Sequence, residues 1–147
     1  MLDIKVPSAG DYAKKLALIA AEEAEKEARM RQQAEDDKQA LLDELQKPSG
    51  LSDDEVIQRA LKMIEGAVQS GLTEVLVYRF PNQLCTDRGR AINQQEAGWE
   101  ETLTGIPKEV YQLWQKYFRE QGYRLRVEIV DFPNGMPGDV GMTLVWA

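Results

Sequence analysis

The chain has 147 residues, 43% of them apolar and 29% charged, with 11 glycines and 6 prolines, the make-up of one globular domain and not of a disordered or fibrous chain. It contains no histidine and a single cysteine, which removes Ser-His-Asp and Cys-His nucleophiles, His-ligated zinc, Cys-cluster metal sites and intrachain disulfides. Net charge is −7, with 8 basic against 11 acidic residues in 1–50 and 10 against 14 in 51–147, so neither half offers the basic patch that phosphate contacts need. No nucleic-acid partner, metal or cofactor is expected. No run approaches the roughly 18 apolar residues of a membrane span, and Met1-Leu2-Asp3-Ile4-Lys5 does not open a signal peptide, which predicts a soluble cytoplasmic protein without a membrane partner.

Residues 11–47 lack Gly and Pro and are dense in Ala, Glu, Lys, Gln and Leu, with Pro7-Ser8-Ala9-Gly10 before them and Pro48-Ser49-Gly50 after them. This predicts one helix on the order of 55 Å long, longer than a domain of this size is wide, so that part of it must project or find a partner. Glu22 with Lys26, Glu25 with Arg29 and Glu27 with Arg31 stand in the favourable acid-first i,i+4 order, each worth about 0.2–0.5 kcal/mol. Tyr12, Leu16 and Ile19 share one face with the small Ala17, Ala20, Ala24 and Ala28, which suits an intermolecular seam, while a sustained heptad is absent. A charged solvated helix is the competing reading of the same interval.

Ser52 with Glu55 forms a capping box ahead of an apolar stripe, Val56, Ile57, Ala60, Leu61, Ile64, Ala67 and Val68, that ends at Gly71 and marks a core helix. Thr73 to Phe80 is β-branched and aromatic and is stopped by Pro81-Asn82, which predicts a strand covered on both faces. Between Gln83 and Gly105, Leu84, Arg88, Ala91, Ile92 and Gln95 lie at helical spacing, with Gly98 as the stop and Trp99 and Leu103 in the loop beyond. Pro107 opens a second core helix carrying Val110, Leu113, Trp114, Tyr117 and Phe118 up to Gly122. Tyr123, Leu125, Val127 and Ile129 alternate with Arg124, Arg126 and Glu128, and Val140, Met142, Leu144 and Trp146 alternate likewise across a Pro133–Gly138 turn region, so the two runs form an antiparallel hairpin.

The fold expected is therefore α+β: a long N-terminal helix over 1–50, then a compact domain over 51–147 with a three-stranded, mainly antiparallel sheet packed on two to three helices. Gly71 before the first strand, Gly122-Tyr123 before the second and Trp146 at the end of the last resemble small α+β proteins of bacteria and their phages that lack an assigned function. The resemblance spans roughly 53–80 and 107–147 and implies a fold type with no catalytic residues to carry over.

Cys85-Thr86-Asp87-Arg88-Gly89-Arg90 is the stretch closest to chemistry, because arginines beside a thiolate activate it and a Cys followed by five residues and an Arg cradles phosphate in phosphatase loops. Arg90 comes one residue early and Ala91 stands at the required position, so a partly buried structural Cys beside a helix N-terminus, with Thr86 or Asp87 capping and solvated Arg88 and Arg90, is the better reading. Glu100-Glu101 beside Trp99 is the only carboxylate pair placed to line a pocket. Trp99, Trp114 and Trp146 fall on the apolar side of the pattern, opposite Arg79, Arg124 and Arg126, which favours core packing over base stacking.

Two functional classes follow. The first is a non-enzymatic protein interaction or assembly module that self-associates through Tyr12, Leu16 and Ile19 on the helix, or through Val75 and Val77 on an open sheet face. The second is a small ligand-binding or enzymatic domain with a pocket at the 83–105 insert, built from Cys85, Arg88, Arg90, Trp99 and Glu100. No residue is assigned a catalytic role.

Overall fold

The helix that opens the fold is set by Ser8, whose hydroxyl accepts a hydrogen bond from the Asp11 amide at 3.0 Å. That cap starts α1 at Ala9, inside the predicted punctuation, and the helix runs to Gln46 (α1, Ala9–Gln46). The structure is a computed structural model and describes residues 3–147. The acid-first pairs predicted along α1 are not closed as ion pairs among the described residues; the i,i+4 bonds formed there include Gln32 to Asp36 and Gln33 to Asp37, each at 2.9 Å. No residue of α1 is buried.

Two compact units divide the chain at Leu41–Leu42, not at the Gly50–Leu51 boundary expected from the Pro48-Ser49-Gly50 break. The reason is local packing. Leu42 and Leu45, the last apolar residues of α1, lie against the core of the second unit, and the backbone of Leu45 and Gln46 sits so close to Gly105 that a Cβ built there would lie 2.3 Å from the Leu45 carbonyl oxygen.

In that second unit Ser52 accepts from the Glu55 amide at 3.2 Å and starts α2 (Asp53–Gln69). The chain then forms β1 (Glu74–Phe80), turns through Asn82–Leu84, makes a single helical turn, α3 (Arg90–Asn93), and a further turn at Trp99–Thr102 before α4 (Gly105–Leu113). α4 widens into a π-turn at Trp114–Phe118, held by the Trp114 indole N–H donating to the Tyr123 carbonyl at 3.0 Å. The strands β2 (Arg124–Ile129) and β3 (Val140–Val145) close the fold. The short helix expected at the 84–95 spacing is confined to the single turn of α3, because Arg88 and Gly89 before it and Gln95 after it adopt left-handed backbone angles.

The sheet is antiparallel throughout with order β1-β3-β2, so the expected α+β class and hairpin are present and β3 is central. Its register builds three apolar rows on the inner face: Leu125–Leu144–Val75, Val127–Met142–Tyr78 and Ile129–Val140–Phe80. The outer rows are Arg124–Val145–Glu74, Arg126–Thr143–Leu76 and Glu128–Gly141–Arg79. β1 is thus an edge strand packed on one face only, against the expectation of a strand covered on both; Leu76 on the outer face remains 42% exposed.

A bulge between Leu76 and Tyr78 corrects the facing of Val75 and Val77. The extra residue, Val77, brings Val77 and Tyr78 to the same side, and both valines pack among Ile64, Phe118 and Leu144 on the inner face. The open face is carried by Leu76 with Arg126, which pairs with Glu74 and Glu128, and by Arg79, which pairs with Asp139 at 2.9 Å and Asp131 at 3.3 Å.

Candidate functional site

Around Cys85 the structure builds a satisfied turn. The thiol is 2% exposed, and burial pushes its pKa up to about 11. Arg88 and Gly89 in left-handed conformation turn the following amides inward, as an anion site would require. The anion they meet is Asp87 itself, which accepts from the Gly89 amide at 3.0 Å and the Ala91 amide at 2.9 Å. The cradle is filled by its own carboxylate, Arg88 is exposed, and Arg90 reaches only Glu96 at 3.9 Å on the surface.

Trp99 and Glu100 belong to a different neighbourhood. The Trp99 ring meets Tyr111 edge-on at 5.5 Å, Tyr111 tilts against Trp114 at 5.7 Å, and burial first, with the Glu100 carboxylate second, raises the pKa of the Tyr111 phenol. The five residues expected to share a pocket near the insert are therefore split between a buried turn, the surface and an aromatic stack.

The cavity lies elsewhere, above the inner sheet face and between α2 and α4. Its volume is about 320 Å³, and no residue of 83–105 lines it. Val56, Ile57, Ala60 and Met63 form the α2 wall, Ile106, Val110 and Leu113 the α4 wall, and Val77, Leu125 and Leu144 the floor. Ala60 brings only a methyl to it where the neighbouring stripe positions are larger, and Trp114 and Phe118 of the π-turn line it as well.

Ser49, Arg59, Tyr78 and Glu109 bring polar groups to these apolar walls. The Tyr78 hydroxyl is buried and has no hydrogen-bond partner among the described residues. Burial first, and the Glu109 carboxylate second, push its pKa above the usual tyrosine range, so it stays protonated at neutral pH and keeps a proton to donate. Glu109 is anchored by the Ser49 amide, which donates to its two oxygens at 3.3 and 3.4 Å. A wider polar hollow lined by Ser49, Ser52, Asp53, Gln112 and Lys116 adjoins the apolar cleft and shares Glu109 with it.

Neither Tyr78 nor Glu109 was singled out by pattern. Tyr78 reads as one more apolar residue of a strand, and its orphaned hydroxyl depends on the bulge at Val77. Glu109 did leave a trace in the sequence, a carboxylate on the same helical face as Ile106, Val110 and Leu113.

On α1, Tyr12, Leu16 and Ile19 are exposed, Leu16 at 68%. At about 100° per residue, Met30 and Leu41 return to the same side, so five large apolar residues fall within a sector of about 60°. Met30, 64% exposed, and Leu41 extend the expected seam along the helix; their offsets from Tyr12, eighteen and twenty-nine residues, are close to whole turns and were legible in the sequence.

Among the described residues no helix is long and apolar enough to cross a membrane, and no three acidic or thiol groups are placed to hold a metal ion. The fold and the cleft define an α+β domain with a one-sided antiparallel sheet and an apolar hollow under two helices. No protein-family model, curated protein or solved structure matches the chain, so the likeness drawn on Gly71, Gly122-Tyr123 and Trp146 finds no counterpart there.

Proposed function

We propose that this protein is an assembly module, without enzymatic activity of its own, whose N-terminal helix pairs with the same helix of a second copy. The observation that carries the reading is the exposure of Tyr12, Leu16, Ile19, Met30 and Leu41 along one side of a helix with no buried residue of its own. Burying that stripe would remove apolar surface from water at about 25 cal/mol per Å².

Charge favours an antiparallel arrangement. Lys14 and Lys15 lie near the start of α1 and Glu35, Asp36 and Asp37 near its end, so antiparallel pairing sets opposite signs side by side while parallel pairing stacks like on like. It also places Tyr12 of one copy near Leu41 of the other. The outer sheet face supports association less well, because Arg126, Arg79 and their carboxylate partners already cover it.

Sedimentation equilibrium tests this with the wild type and the double variant Leu16→Glu/Ile19→Glu. The wild type is expected to sediment as a dimer at micromolar concentration, and two carboxylates from each copy in the seam, each costing several kcal/mol to desolvate, should weaken the dimer by more than about a hundredfold. A wild-type mass of one chain, unaltered by the substitutions, refutes self-association through α1.

A further inference from the structure

We infer that β2 is a docking edge for β2 of a second copy, the two strands pairing antiparallel about Val127 so that two three-stranded sheets join into one. This interface is separate from the α1 seam and stands whether or not α1 pairs. The order β1-β3-β2 leaves β2 at an edge. Its ladder with β3 carries no bulge, whereas the bulge at Val77 blunts the other edge, β1. The Val130 amide donates to the Asp139 carbonyl at 2.9 Å, so the even-numbered residues of β2 bond to β3, and Leu125, Val127 and Ile129 turn their amides and carbonyls outward. Among the described residues nothing bonds to those outward groups. Tyr123, one step earlier on the same side, is closed off: its amide donates to the Phe118 carbonyl at 3.2 Å and its carbonyl accepts from the Trp114 indole. The open stretch is therefore 125–129, and Val127 is its midpoint.

The strand's own sequence identifies the occupant. With Val127 opposite Val127, Leu125 faces Ile129 on the inner side, and each of these pairs exchanges both backbone hydrogen bonds. On the outer side Arg126 of each copy then stands opposite Glu128 of the other, with Cβ atoms about 4.5–5.5 Å apart. Slipping one bonded step either way sets Arg126 against Arg126 or Glu128 against Glu128, and like charges directly opposite repel. The register that matches apolar with apolar and acid with base is thus centred on the same residue as the open stretch. Arg126 and Glu128 are exposed, and the 3.3 Å contact they make within one strand is replaced in the joined sheet by a pair directly across it.

Amide hydrogen exchange read by NMR, together with sedimentation, tests this on the full chain carrying Leu16→Glu/Ile19→Glu, two exposed positions whose substitution silences the α1 seam. From about 10 μM to about 1 mM, the Leu125, Val127 and Ile129 amides should gain protection as a dimer forms, because their acceptors lie on the second copy. In that background Glu128→Arg sets arginine against arginine twice and should weaken the dimer by about tenfold or more, and the swap Arg126→Glu/Glu128→Arg should restore it. Where circular dichroism shows that a charge variant fails to fold, the concentration dependence of exchange decides alone. The inference is overturned if the three amides exchange equally fast across the series or if the parent stays a monomer at the highest concentration. It is equally overturned if a folded Glu128→Arg associates as tightly as its parent, or if a folded swap variant stays as weak as Glu128→Arg.

Discussion

Replacing Gly105 by alanine tests whether the end of α1 is built into the second unit. Gly105 has φ +58°, a left-handed conformation that costs an L-residue about 1–2 kcal/mol. A Cβ there would also stand 2.3 Å from the Leu45 carbonyl oxygen and 2.7 Å from the Gln46 Cα, and backbone cannot swing aside as the tip of a flexible side chain can. Relief requires the last turn of α1 to move off α4, loosening the half-buried Leu42 and Leu45 by about 1–2 kcal/mol. The total expected loss is about 2–4 kcal/mol.

Gly98 supplies the control, since it has φ +83° but a Cβ there would meet nothing within 4 Å. Gly98→Ala should therefore lose only the backbone part, and the gain from a stiffer unfolded chain is common to both variants and cancels in the comparison. At about 4 °C per kcal/mol for a domain of about 100 residues, calorimetry should find Tm lowered by about 10–15 °C in Gly105→Ala and by about 5 °C in Gly98→Ala. Equal shifts in the two variants would mean that the contact with Leu45 carries no energy, and the argument for a boundary at Leu41–Leu42 would fail with it.

The same boundary predicts that residues 42–147 unfold in urea at nearly the midpoint of the whole chain, whereas residues 51–147, deprived of Leu42, Leu45 and the Ser49 bond to Glu109, lose about 3–6 kcal/mol; identical midpoints for the two fragments would contradict this. Cys85, with its pKa raised to about 11 by burial, should carry only about one thiolate in a thousand at pH 8 and react with a thiol reagent far more slowly than in urea. Because the folded thiol binds its proton more tightly than the unfolded one, whose value is 9.0, its contribution to stability is complete below about pH 9 and is lost as pH rises towards 11. Prompt labelling of the native protein at pH 8 would contradict the buried turn.

Periodicity and punctuation determined the secondary structure, because capping and apolar spacing act over a few residues and are complete in the sequence. Ser52 with Glu55, the alternation from Tyr123 to Ile129 and the Pro133–Gly138 turn region led directly to α2, β2 and the hairpin. The burial of Cys85 and the bonds of Asp87 to the amides that open α3 were legible for the same reason. What the tertiary structure decided depends on residues far apart in sequence. The bulge at Val77 follows from matching β1 to β3, and one inserted residue moved Val77 onto the side of Tyr78 and left Leu76 as the open-face residue. The attachment of Leu42 and Leu45 rests on the close approach that Gly105 permits, sixty residues further along the chain. The cleft itself is the space left between Ala60 on α2 and the walls of α4 and the sheet, and an empty volume leaves no pattern in the residues that surround it.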